Sequence, residues 1–166
     1  MSAPTGKLDL FVGEGEKAFT TENQRRDKLT DKSESLIKAV GLVMGFQLID
    51  LKNLSYTGSR KDLGLWLAVG ALLALSVALV LALLGARIRS GYKSQPREDD
   101  LVNALWGNNV SDDDAKAQVA RTYFAAREEN AIINDGRARL LAFSGYCLLA
   151  GFFMAVLSQV LLKLVK

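Results

Sequence analysis

Two uncharged runs constrain this chain before anything else does. Leu63 to Ala86, "LGLWLAVGALLALSVALVLALLGA", and Leu140 to Leu162, "LLAFSGYCLLAGFFMAVLSQVLL", contain no Asp, Glu, Lys or Arg. About 20 such residues, rising 1.5 Å each, cover a hydrocarbon core of roughly 30 Å. A helix of a soluble bundle keeps a polar face, and neither run has one. Both read as transmembrane helices. A third segment, "SLIKAVGLVMGFQLIDLKNL" from Ser35 to Leu54, is shorter and more mixed, with Lys38 near one end and Asp50 and Lys52 near the other.

Charge at the ends of the runs decides how the third segment is read. Arg87, Arg89, Lys93 and Arg97 follow the second run, and Arg127, Arg137 and Arg139 precede the last one. Lys and Arg collect on the cytoplasmic side of a bilayer, so the connection 87–139 is expected to be cytoplasmic. With only two spans, the polar N-terminal segment would then lie outside. It does not read as a signal peptide, because Asp9, Glu14 and Glu16 stand where an apolar core would be. If 35–54 also crosses, the N-terminus and the central connection are both cytoplasmic. Lys38 then snorkels to the inner headgroups. The other reading of this segment is an amphipathic helix lying on the cytoplasmic surface.

The expected fold is therefore an all-α membrane protein with three transmembrane helices and helical cytoplasmic extensions. Residues 1–34 form a cytoplasmic arm and helix, with Met1 to Gly15 flexible on account of Pro4, Gly6, Gly13 and Gly15. The spans are 35–54, 63–86 and 140–162, and 87–139 is a cytoplasmic helical connection. "SYTGSRKD" is the turn between the first two spans, with Trp66 an interface anchor just beyond it. Gly91 and Pro96 end the second helix. Ser111 starts the next one, with Asp112 to Asp114 in its first turn. On that helix Val119, Tyr123, Ala126, Asn130 and Ile133 recur at steps of four and three, a bundle or coiled-coil seam. Gly136 is a weak point before the last span. The location expected is the cell inner membrane, multi-pass, with a cytoplasmic N-terminus.

Chemistry has little to work with. The chain has no histidine and one cysteine, Cys147, so a Cys-cluster metal site and an intrachain disulfide are both excluded. No HExxH, CxxC, GxGxxG, P-loop or GxSxG occurs. The triple aspartate suits capping better than metal, since neighbours on a helix point in different directions. No metal and no enzyme activity are expected. The net charge of +3, from 21 basic and 18 acidic residues, is mixed along the polar segments, which argues against a nucleic-acid surface. Inside the long runs the polar residues are Ser76, Ser144, Ser158 and Gln159. Without an ionisable group at mid-depth, a pump or secondary transporter is disfavoured. Small residues offer close helix approach: Gly41 and Gly45 in the first segment, Gly70, Ala74 and Ala78 in the second, and Gly145, Ala150 and Gly151 in the third. They serve packing within one chain or between copies in a homo-oligomer.

Two hairpin spans, a polar helical connection and a last span entered through "YFAAREENAIINDGRARLLAFSGYCLLAGF" resemble the Pycsar-type small transmembrane effectors of prokaryotic anti-phage defence. The likeness covers roughly Asp31 to Leu162. It rests on Tyr123, Asn130 and, seven residues on, Arg137, where the family commonly has lysine. The family's Asp–X–Lys ahead of the first span is here Asp31 directly followed by Lys32. The resemblance implies an oligomeric effector that permeabilises or disrupts the inner membrane on a nucleotide signal, with a nucleotide cyclase or another soluble defence protein as partner. A cyclic nucleotide is the implied ligand, with no other cofactor. Arg121, Arg127, Asn130, Asn134, Arg137 and Arg139 are the candidate contacts for an anion, because guanidinium forks suit phosphates. Arginines beside a span also serve as headgroup anchors. The alternative function is a membrane anchor or scaffold that recruits a soluble partner through its cytoplasmic helices.

Overall fold

A computed structural model describes residues 5–52, 59–87, 92 and 111–164, and all but Tyr92 and Ser111 of these are helical. Helix α1 runs Thr5–Lys52, α2 runs Ser59–Arg87 and α3 runs Asp112–Leu164. Among the described residues there is no strand. The chain divides into two compact units. A polar unit combines Met1–Lys28 with Arg89–Gly136, and an apolar unit combines Leu29–Ile88 with Arg137–Lys166.

Two of the three helices carry a stretch long and apolar enough to cross a bilayer, Asp62–Arg87 and one within Asp112–Leu161. Helix α1 is not among them, since Lys38, Gly41, Gly45 and Gln47 dilute its apolar segment.

The apolar unit keeps mostly small side chains inside, with Leu75 and Leu141 the large exceptions, and turns large ones outward. On α2 the buried positions are Gly64, Ala68, Ala71, Leu75, Ala78, Ala82 and Gly85, alternating steps of four and three. Trp66, Leu73, Val77, Val80 and Leu84 are exposed. On α3 the steps pass through Arg137, Leu141, Ser144, Leu148, Gly151, Ala155 and Ser158, while Phe143, Leu149, Phe153 and Leu157 face outward. A water-soluble core would place these the other way round; an outward face this apolar suits hydrocarbon.

The seam is antiparallel, and polar contacts mark its register every seven residues. Arg137 Nε donates to the Gly85 carbonyl at 2.8 Å. Ser144 Oγ donates to the Ala78 carbonyl at 2.7 Å, and Ser158 Oγ to the Gly64 carbonyl at 2.8 Å. Between the two serines a Cβ on Gly151 would lie 2.8 Å from Leu75 Cγ and 3.2 Å from the Ala71 carbonyl, so only glycine fits without displacement. A Cβ on Gly85 would lie 2.9 Å from Leu141 Cδ2. Helix α1 joins α2 by the same device. Ser33 Oγ donates to the Ala82 carbonyl at 2.8 Å, and Val40 packs with Leu75 and Ala78. Ser33, Val40 and Gln47 are all buried at seven-residue intervals. Residues 33–40 of α1 thus run antiparallel to α2, in the same direction as α3.

Two expectations change. The N-terminal arm is helix from Thr5 onward, and it includes Gly6, Gly13 and Gly15. Each glycine costs a helix about 1 kcal/mol. At Gly15 the close approach explains it, because a Cβ there would lie 3.3 Å from Tyr123 Cβ. Gly136 likewise does not interrupt α3. The helix start at Ser111 is as expected: the Asp114 amide donates to Ser111 Oγ at 3.2 Å, and that hydroxyl donates to Asp114 Oδ2 at 2.6 Å. The second half of the expected 55–62 turn is already α2. The helix-ending Gly91 and Pro96 lie outside the described residues.

Substituting Gly151→Leu is expected to destabilise the detergent-solubilised protein by about 1–3 kcal/mol or more through overpacking. Gly145→Leu, where a Cβ would meet nothing within 4 Å, is the near-neutral control. Thermal unfolding of the two variants side by side is the measurement, and equal transitions would contradict the seam.

Candidate functional site

The polar unit is assembled from α1 and α3 by ring contacts at one end and a buried hydrogen-bond network at the other. Phe11 meets Phe124 with ring centroids 5.2 Å apart, and Phe19 meets Tyr123 edge-on at 5.9 Å. Lys116 pairs with Asp9 at 2.8 Å. The network centres on Glu22, which is only 8% exposed. Asn134, fully buried, donates through Nδ2 to Glu22 Oε1 at 2.7 Å and to the Glu22 carbonyl at 3.2 Å. Arg25 reaches Glu22 at 3.4 Å and Asp135 at 2.6 Å. The Tyr92 hydroxyl donates to Asn23 Oδ1 at 2.7 Å, and the Arg26 guanidinium sits 4.8 Å from the centroid of the Tyr92 ring, a cation–π contact.

A carboxylate is rarely buried unless its lone pairs are occupied, and here an amide and a guanidinium occupy them. Asn134 Oδ1 has no hydrogen-bond partner, which leaves one buried acceptor at the centre of the network. Burial raises the Tyr92 pKa above its ordinary value of 10, ahead of the opposing effect of Arg26. A raised folded-state pKa means that the stability Tyr92 adds is full below pH 10 and is lost as pH climbs through the folded value. Among the described residues no group of His, Cys, Asp and Glu side chains is arranged to hold a metal ion.

The six candidate anion contacts do not come together. Arg121, Arg127 and Arg139 are exposed. Arg121 and Arg139 lie on one face of α3 but about 27 Å apart along it, and Arg127 points elsewhere. Asn130 and Asn134 are fully buried in the polar unit. Arg137, in the apolar unit, is 3% exposed, and its fork spans two helices: Nε to the Gly85 carbonyl of α2, and an Nη to Thr30 Oγ1 of α1 at 3.0 Å. It acts as a three-helix tie. Of the packing candidates, Gly70 and Gly151 are in close contact, Gly70 with Met154 Sδ 3.2 Å from its would-be Cβ, while Gly41, Gly45 and Gly145 meet nothing within 4 Å. Ala74 is half-buried. Ser76 faces out and donates to its own helix, at the Leu72 carbonyl.

Sequence reasoning passed over Glu22, Ser33, Gly85 and Tyr92. A signal existed for the first two. Gly15, Phe19, Glu22, Arg26, Leu29 and Ser33 alternate steps of four and three, the same period noticed on α3. On α3 itself the expected seam chose Val119 and Ile133, whereas the buried positions are Ala120 and Asn134. Steps of four and three counted from Val119 lead to Ile133; the hydrogen bond to Glu22 is what places Asn134 inside.

Compared with family models, curated proteins and solved structures, the chain matches none of them.

Glu22→Ala removes the shorter of the two hydrogen bonds of the buried Asn134 amide and the Arg25 contact, and is expected to cost about 1–3 kcal/mol. Arg137→Lys keeps the charge but loses the two-way fork, and a loss of similar size is expected. Chemical or thermal unfolding in mild detergent measures both. Wild-type stability in Arg137→Lys would show that charge alone suffices there.

Proposed function

We propose that this chain is a three-span inner-membrane effector. Its N-terminus and polar unit are cytoplasmic, and its apolar unit acts on the bilayer when the polar unit receives a signal. The observation that carries the reading is the outward apolar face of α2 and α3 combined with the pairing of α1 residues 33–40 against α2. A segment that runs antiparallel to a membrane-crossing helix, with Val40 against its middle, has the same slab of lipid around it. The Lys and Arg distribution at 87–97 and 127–139 supports the orientation.

Helices α1 and α3 are unbroken, 48 and 53 residues long, and each has residues in both units. That continuity supports a relay from the polar unit to the lipid-facing surfaces. Gly41, Gly45 and Gly145, left open by the single chain, offer those surfaces a means of pairing with further copies. The likeness to Pycsar-type effectors adds anti-phage defence, a cyclic nucleotide signal and a cyclase partner to the proposal. A second reading, an anchor or scaffold for a soluble partner, is favoured by one finding: the exposed arginines do not converge on a shared anion site.

Single-cysteine variants in a Cys147→Ser background test the topology. A membrane-impermeant maleimide is expected to react with Thr57→Cys on intact spheroplasts, and with Ser111→Cys only after permeabilisation. Labelling of Ser111→Cys on intact spheroplasts would reverse the orientation. For the effector role, expression under phage challenge is expected to collapse the membrane potential, and Gly45→Leu to reduce that collapse without changing thermal stability. A steady potential together with a stoichiometric soluble partner in pull-downs would select the scaffold instead.

A further inference from the structure

In the apolar unit α1 and α3 leave a groove of about 380 Å³, lined by Leu42, Phe46 and Gln47 on one side and by Phe152, Ala155 and Gln159 on the other. Its volume matches roughly a dozen water-sized groups, yet its walls are almost wholly apolar. The exceptions are Gln159 and Gln47, and Gln47, 3% exposed, has no hydrogen-bond partner for its Nε2. A buried amide without an acceptor is costly, and it stands here beside a slot that an acceptor can enter. Gln47 itself lines the groove, and the terminal torsion of glutamine is broad.

Depth narrows the choice of occupant. Gln47 lies three residues before Asp50 and Gln159 four before Lys163, the next charged residue in each case, about 5–6 Å along a helix axis. The neighbouring Ser158 is hydrogen-bonded to Gly64, near the start of α2. In a bilayer this is the inner edge of the headgroup layer, about 5–7 Å thick on each side, where the ester carbonyls of glycerophospholipids meet their chains. Those carbonyls accept hydrogen bonds and donate none. The rim excludes a helix: Phe46 and Phe152 stand outward at 64% and 48% exposure, whereas close helix approach needs small residues. A thin, flexible chain passes between the two rings.

We propose that this groove is a lipid site that seats one acyl chain of an outer-leaflet glycerophospholipid, with the Gln47 amide donating to its ester carbonyl. The proposal rests on the three-span reading above. The full chain, reconstituted in phosphatidylcholine vesicles, is photolabelled with a phosphatidylcholine carrying a diazirine on its acyl chain, and the adducts are mapped by mass spectrometry. Adducts are expected to concentrate several-fold on residues 42–47 and 152–160 relative to Leu73 and Phe143, which are exposed outside the groove. Unlabelled ester lipid should compete better than the ether-linked analogue. Gln47→Leu should erase that preference, and Ala155→Phe should empty the groove. Even labelling of every exposed apolar position, or equal competition by ether lipid, overturns the proposal. A groove protected from label while Leu73 is modified also overturns it, and points to a second copy as occupant. Protein that fails to float with the vesicles sinks the membrane reading itself, whereas floated protein with an unlabelled groove sinks only the lipid site.

Discussion

Hydroxyl and guanidinium groups donating to the backbone of α2 are the interaction on which the apolar unit depends. In lipid, burying Leu against Leu gains little over leaving each against hydrocarbon, so association rests on close packing and interhelical hydrogen bonds. This chain supplies both along one seam. Gly64, Ala71, Ala78 and Gly85 bring their carbonyls within reach because they have little or no side chain in the way. Ser158, Ser144 and Arg137 use three of those carbonyls, and Gly151 closes against the fourth. The Gly64 and Ala78 oxygens already belong to the α2 helical ladder, but each has a second lone pair, and Gly85 lies in the last turn of α2, where carbonyls lack an intrahelical donor.

The two units solve one packing problem with different materials. The same alternation of four and three residues runs along α1 and α3 in each. Where the surroundings are apolar the seam is Gly, Ala and Ser. In the polar unit it is aromatic pairs followed by Glu22 and Asn134. Buried polar residues at seam positions cost stability but fix register and partner. A one-position slip of α3 would take Asn134 from Glu22.

That arrangement bears on the functional reading. Gly70, Gly85 and Gly151 are consumed within the chain, whereas a Cβ at Gly41, Gly45 or Gly145 meets nothing within 4 Å, so the proposed pairing of copies would draw on those three. Arg137, which as an isolated arginine beside a span reads as an anion or headgroup contact, is occupied by Gly85 and Thr30. A signal that reaches the polar unit would therefore act through the exposed arginines or through the Glu22 network, and α1 and α3 are the only described helices with residues in both units.

Some of this was readable directly. Uncharged length alone marked the second and last apolar segments, because no packing partner can make a bilayer cross a charge-rich stretch cheaply. The Ser111 start was legible because capping is local chemistry. The period of the α3 seam was visible too, since 3.5-residue recurrence needs only one helix. What tertiary structure decided is which member of each pair of neighbouring positions turns inward. Asn134 rather than Ile133, and Gly151 rather than Ala150, follow from a carboxylate on α1 and a leucine on α2 that lie far away in sequence. Helicity through Gly6, Gly13 and Gly15 was decided there as well: glycine's preference is worth about 1 kcal/mol, and packing against a helix more than a hundred residues distant outweighs it.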